Sequence, residues 1–203
     1  MGHSDDDLLR RILAGEEDAF VLLYQRWQRP LYRFALHMSG SVTIAEDVIQ
    51  EVFMSLIREG SRFDPKLGTV PSYLFGIARN QVRRRFERDR FLVPLQESAG
   101  SDREAQLGSR GNGAHSSATV PPVDLIRGET VATVREAVLG LPSHYREVVV
   151  LCDLQEMSYE ETAGVLKCAV GTVRSRLHRA RALLAEKLSA FHVEASKAVS
   201  GAD

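Results

Sequence analysis

The sequence has almost no net charge. Its 203 residues include 26 lysines and arginines against 27 acidic residues, a formal charge of −1. No global pull toward a polyanion exists, so any affinity for nucleic acid must come from local clustering. Cysteine is nearly absent: Cys152 and Cys168 lie outside any CxxC pattern and read as small buried side chains, neither a redox pair nor zinc ligands. No apolar run approaches membrane-spanning length and no signal peptide is recognisable, so the sequence reads as that of a soluble cytoplasmic protein. Alternating strand patterns and internal repeats are missing too, which leaves an all-α fold.

Catalytic signatures are also lacking. There is no metal-ligand cluster, no phosphate-cradling glycine loop and no nucleophile–base pairing of recognisable spacing. His3, His37, His115, His144, His178 and His192 are scattered and read as structural or solvated. The sequence therefore predicts a protein that is not an enzyme and needs no cofactor or metal.

What is present is helical periodicity. Residues 4–14 read as a short capped helix stopped by Gly15, and 17–38 as a longer one with Pro30 inside it. Ala19, Phe20, Leu23, Tyr24, Trp27, Leu31, Phe34 and Ala35 recur at three-and-four spacing and should face a core. Residues 43–58 place Ala45, Val48, Ile49, Val52 and Leu56 on one stripe. Asp47, Gln50, Glu51, Met54 and Arg58 lie opposite, with Phe53 and Ile57 at the margin, further round than a core needs. Acids, an amide and surplus apolar residues together suit a partner-binding face. Residues 59–70 form a loop containing Phe63. Pro71 opens a helix to about residue 90. Its inward side is Leu74, Ala78, Val82 and Phe86; its outward side is Gly76, Asn80, Arg83, Arg84 and Glu87, with Arg79, Arg88 and Arg90 alongside. That face could bind phosphate and read bases.

From 92 to 124 the chain turns rich in Gly, Ser and Ala and poor in large apolar residues, the composition of a flexible linker. Two platform helices follow at 125–139 and 143–153. Then a short helix, 158–166, with Ser158 and Glu161 as a capping box, is joined by a tight break to an arginine-rich helix from 171 to about 188. Two helices across so short a turn form a helix-turn-helix, with Ala163 at the crossing and Val165, Leu166, Val173 and Leu177 as the seam. On the second helix Val173, Leu177, Ala180, Leu184 and Leu188 share the buried face. Opposite lie Gly171, Ser175, His178, Arg179 and Ala182, flanked by Thr172, Arg174, Arg176 and Arg181. Small residues that allow approach, mixed with donors and cations, suit a helix entering a major groove. Lys167 stands where such turns favour glycine, and a lysine at positive φ costs about 1 kcal/mol.

These elements, in this order, resemble the bacterial RNA polymerase sigma factors of the extracytoplasmic-function type, in the sigma-70 family. The likeness runs through AFVLLYQRW, AEDVIQEVF and YLFGIARNQVRRRFER in the first half, and through LPSHYREVVVL, SYEETAGVL and VGTVRSRLHRARALL in the second. Departures are Tyr73 where the family often has Trp, Lys167 for Gly, Thr162 where Ile is common, and a longer linker.

The resemblance implies two small helical domains: residues 1–91 for core polymerase and −10 binding, and 125–189 for −35 binding, joined by the linker 92–124 and followed by a frayed tail at 190–203. Asp47, Gln50, Glu51, Phe53, Met54 and Ile57 would dock on the β′ clamp helices, and the β flap is a further polymerase contact. Phe63, Asn80, Arg83 and Arg84 would capture the −10 element, with loop 64–69 setting specificity. Thr172, Arg174, Ser175, Arg176, His178 and Arg179 would read the −35 element. The resemblance further implies promoter DNA and an anti-sigma factor as partners, no membrane insertion, and a monomer when free. The chief alternative is a free-standing helix-turn-helix regulator.

Overall fold

The computed structural model describes the backbone of residues 3–92 and 122–200, and the side chains of 3–88, 130–189 and 191. Most of the expected linker, 92–124, and the last three residues lie outside the described residues. Among the described residues all regular structure is helical.

Helix α1, Asp5–Leu13, is capped by Ser4, whose Oγ accepts from the Asp7 amide at 3.2 Å. Acids fill its first turn and arginines its last, the arrangement its dipole favours. Helix α2, Glu17–Ser39, runs on past Pro30 and ends at Gly40, which takes the left-handed conformation (φ 71°). Helix α3, Val42–Glu59, starts at the Ser41 cap, and a single 3₁₀ turn, Gly60–Arg62, leads into the loop before α4, Val70–Leu92. The four helices pack around Leu23, Leu31, Phe34, Val48, Val52, Leu56 and Leu74, all fully buried. Phe75, which the helical pattern does not assign to the inward face, is 1% exposed and meets Phe34 and Trp27 edge-to-face at 5.5 and 6.1 Å.

The second half starts with α5, Pro122–Leu139, followed by α6, Ser143–Val149. α6 does not continue regularly to residue 153. It widens into a π turn, Val150–Leu154, in which the Gln155 amide bonds back to the Val150 carbonyl at 3.0 Å. Helices α7, Tyr159–Leu166, and α8, Val170–Ser200, form the helix-turn-helix. The capping box of Ser158 and Glu161 is present in both directions. Ala163, Val165, Leu166, Val173, Leu177 and Ala180 are buried as their spacing predicts. Thr162 is fully buried, its hydroxyl 3.3 Å from the Cys152 sulfur. Helix α8 passes its expected end near 188 and continues to Ser200, so most of the stretch expected to fray extends the helix.

The two halves pack against each other. Arg146 of α6 donates to the Met38 carbonyl at the end of α2 at 2.7 Å, to Leu141 at 3.1 Å, and to the carbonyl of Leu139. Its neighbour Glu147 pairs with Arg79 of α4. Leu139 fills the space beside Gly40, and α7 lies against α4. His37, near the end of α2, is half-buried with its Nδ1 unpartnered. Burial first, then Arg135 of α5 and Arg33 of its own helix, push its pKa below the ordinary 6.5.

Two predictions follow from these local geometries. Lys167 adopts the left-handed conformation (φ 54°, ψ 48°). Lys167→Gly should therefore raise stability by about 1 kcal/mol in urea denaturation. Because the folded protein holds His37 neutral below its ordinary pKa, the unfolded chain binds its proton first on acidification. Its contribution is complete above pH 6.5 and is lost as pH falls from 6.5 toward the lowered value. Urea midpoints at neutral and mildly acid pH should converge in His37→Gln relative to the parent.

Candidate DNA-binding and partner-binding surfaces

Helix α8 presents the cationic face that its sequence predicts. Arg174, Ser175, His178 and Arg179 are exposed, while Thr172 and Arg176 are half-buried at the flanks. The buried side, through Val173, Leu177 and Ala180, fixes the rotation of the helix and so aims the cations outward. Two side chains are steadied by neighbours. The Arg174 guanidinium lies 5.8 Å from the Tyr159 ring centroid, and Ser175 Oγ donates to the Thr172 carbonyl at 3.1 Å. Arg181 is held differently: Asp153 of the π turn takes both its Nε, at 3.1 Å, and its Nη2. That pairing removes Arg181 from the free cations and braces α8 against the turn before α7.

On α4, Asn80, Arg83 and Arg84 are exposed together, with Arg83 loosely paired to Glu87 at 3.8 Å. Phe63 lies in the loop before α4. Its ring packs at 5.5 Å from Tyr73, and the Tyr73 hydroxyl donates to the Glu59 carbonyl at 3.3 Å. Burial, then the nearby Glu59, raise the Tyr73 pKa. Phe63 is thus a half-buried anchor for the loop, and Tyr73, itself half-buried, packs beside it. Leu67, at the loop tip, is 84% exposed.

The face of α3 divides in two. Gln50, Met54 and Ile57 are exposed and, with Phe53, line a groove of about 980 Å³ shared with α2. Phe53 is 4% exposed: it forms the groove floor, packed against Phe20 at 5.9 Å and Tyr24 at 4.7 Å. The reading of Phe53 as a marginal surface residue is corrected accordingly. Asp47 and Glu51 are turned away from the groove. Asp47 pairs with Arg85 of α4 at 2.6 Å, and Glu51 with Arg58 at 3.4 Å. The opposite wall belongs to α2, where Tyr24, Arg29, Tyr32 and Arg33 line the same groove. Sequence reasoning assigned the α2 aromatics to the core alone. The available signal was Phe20 and Tyr24 one helical turn apart, together with arginines at 29 and 33, on a helix with more apolar positions than one core stripe uses.

The cysteines form no site. Both are free and half-buried, and burial pushes the Cys152 thiol pKa up, away from a reactive thiolate. Among the described residues no cluster of His, Cys, Asp or Glu could hold a metal ion, and no helix is long and apolar enough to cross a membrane.

Residues 23–91 match the family model of sigma-70 region 2, and residues 132–184 that of sigma-70 region 4. Full-length relatives agree. The chain is 33% identical to the ECF RNA polymerase sigma factor SigM of Mycobacterium tuberculosis, over 91% of this chain and 85% of that protein. It is 29% identical to the RNA polymerase sigma-H factor of Pseudomonas aeruginosa, over 94% and 97%. Among solved structures it resembles CnrH in complex with the cytosolic domain of CnrY, with a TM-score of 0.68, 27% identity and coverage of 93% and 99%. It also resembles the sigma factor RpoE of Bartonella quintana in complex with the anti-sigma factor NepR, with a TM-score of 0.58, 25% identity and coverage of 82% and 94%. The two region models fall on the two halves that carry the groove and the cationic helix, so the free-standing regulator is not favoured. The chain belongs to the extracytoplasmic-function sigma factors of the sigma-70 family.

Proposed function

We propose that this sigma factor directs core RNA polymerase to promoters through two DNA grips aligned by one protein partner, with no catalytic activity of its own. The observation that carries this reading is the exposed face of α8. Arg174, Ser175, His178 and Arg179 stand out from a helix whose opposite side is locked into the helix-turn-helix core. Arginine can fork onto guanine or grip phosphate, and serine bonds either. This face reads the −35 element in the major groove. Asn80, Arg83 and Arg84 of α4, with the loop 64–69, form the −10 grip; Phe63 fixes that loop from below. An unstacked base held there offsets a few kcal/mol of lost stacking.

The α2–α3 groove takes the β′ clamp helices of core polymerase. Met54 is 43% and Ile57 55% exposed at its rim, apolar side chains that a docked helix would cover. Gln50 supplies a polar contact beside them. Asp47 and Glu51 act at one remove, by holding Arg85 and Arg58. The C-terminal half meets the β flap. The free protein is a cytoplasmic monomer, and an anti-sigma factor of the kind bound to RpoE in the related structure covers the polymerase-binding surfaces.

Run-off transcription with core polymerase on a promoter library, reading out enriched −35 and −10 sequences, tests the assignment. The parent should enrich two short elements at a fixed spacing. Arg174→Ala or Arg179→Ala should relax the −35 preference at one or two positions, a loss of about 1–3 kcal/mol for each bidentate contact. A double change at the groove rim, Met54→Glu with Ile57→Glu, should weaken association with core polymerase at least about tenfold, with the free chain's melting unchanged. No transcription by the parent, or rim variants that bind core normally, would sink the reading.

A further inference from the structure

Arg79 and Glu147 come from opposite halves of the chain and meet as a bidentate ion pair. Nε donates to Oε1 at 2.7 Å and Nη2 to Oε2 at 3.2 Å. Both are largely withdrawn from water, with side-chain exposures of 15% and 8%. Arg79 lies one turn before Arg83 on α4, so the pair stands at the edge of the basic face assigned to −10 DNA. The same closure sets α7 against α4, and Thr69 of the −10 loop donates to Glu161 of α7 at 3.3 Å. The helix-turn-helix is therefore seated on the loop and helix that would grip the other promoter element.

This arrangement and promoter engagement are sterically opposed. Elements centred near −35 and −10 lie about 25 base pairs apart, or about 85 Å along straight duplex. A compact chain of this length has a radius of gyration of only about 17 Å. Docked halves cannot reach both elements. The contact that must break is also chemically the one DNA is suited to replace. A guanidinium fork fits a carboxylate and a phosphate alike.

We infer that Glu147 keeps the free chain closed by occupying Arg79 as a backbone phosphate would, making Arg79 a DNA ligand with a built-in competitor. The inference rests on the two-grip reading above. Release of Glu147 frees Arg79 for DNA and removes one of the contacts, beside those of Arg146 with Met38 and Thr69 with Glu161, that seat the second half over the −10 loop. Free protein then binds promoter DNA poorly, although its α8 face is exposed. A partner that holds the halves apart raises DNA affinity without touching DNA.

Small-angle X-ray scattering on the full-length protein reads closure directly, and fluorescence anisotropy with a labelled 16-nucleotide single strand of mixed sequence reads the −10 grip. Glu147→Gln keeps the shape and the hydrogen-bonding atoms but loses the charge. It should expand the radius of gyration by about 20%. It should also tighten the single strand at least about fivefold relative to Glu136→Gln, which removes the same charge from an exposed site on α5. Arg79→Glu should expand the chain without tightening DNA. The charge swap Arg79→Glu/Glu147→Arg should restore the compact radius. A Glu147→Gln protein as compact as its parent, or binding no tighter than Glu136→Gln, overturns the latch, as does a folded swap that stays open. Should the swap not fold, Glu147→Gln against Glu136→Gln decides alone. Run-off transcription by the parent separates the two readings: its failure removes the sigma-factor assignment while the scattering result still judges the latch.

Discussion

Arg146, together with its neighbour Glu147, is what the arrangement of the two halves turns on. Its guanidinium has no carboxylate partner. It is spread across main-chain carbonyls at the C-terminal ends of α2 and α5, from Met38, Leu139 and Leu141. A cation there meets the negative ends of two helix dipoles and two carbonyls left open by helix termination, with the Leu141 carbonyl just beyond α5 as its third acceptor. Desolvation lowers its pKa, yet an arginine starts so high that it stays charged. The next residue, Glu147, points about 100° further round α6 and reaches Arg79. Two successive residues on one short helix thus bind three helices, and everything C-terminal to α6 inherits its position from them.

That position gives the molecule its asymmetry. The α8 face is open because its supporting residues come from within the second half: Asp153 holds Arg181, and Tyr159 lies beneath Arg174. The α4 face is partly engaged because the second half sits on its edge. The α2–α3 groove stays open at its Met54 and Ile57 rim. With a near-neutral overall charge, any DNA affinity of this sigma factor is left to local clusters.

Glu156 and Lys167 bracket α7 with the two positive φ values found among non-glycine residues in the described chain. Neither residue type is at ease there, and each costs about 1 kcal/mol. Together with the π turn before Glu156, they place the local irregularity of the second half around α7. The capping box of Ser158 and Glu161 and the buried Thr162 supply the compensating order.

The sequence by itself determined the helices, the caps and the helix-turn-helix. Periodicity and capping are carried by residues within a few positions of each other: Ser158 with Glu161, Val173 with Leu177, Ala45 with Val48 and Val52. The outward face of α8 was legible for the same reason, since a known buried stripe fixes its opposite. Only the tertiary structure decided which surplus apolar residues were spare. Phe53 proved to be a groove floor, because Phe20 and Tyr24 of α2 reach it, whereas Ile57 found no cover. It also decided which charges were free. Asp47 meets Arg85 thirty-eight positions on, and Arg79 meets Glu147 sixty-eight positions on. Such pairs leave no local signature, because a helix wheel shows where a side chain points and not what arrives opposite it.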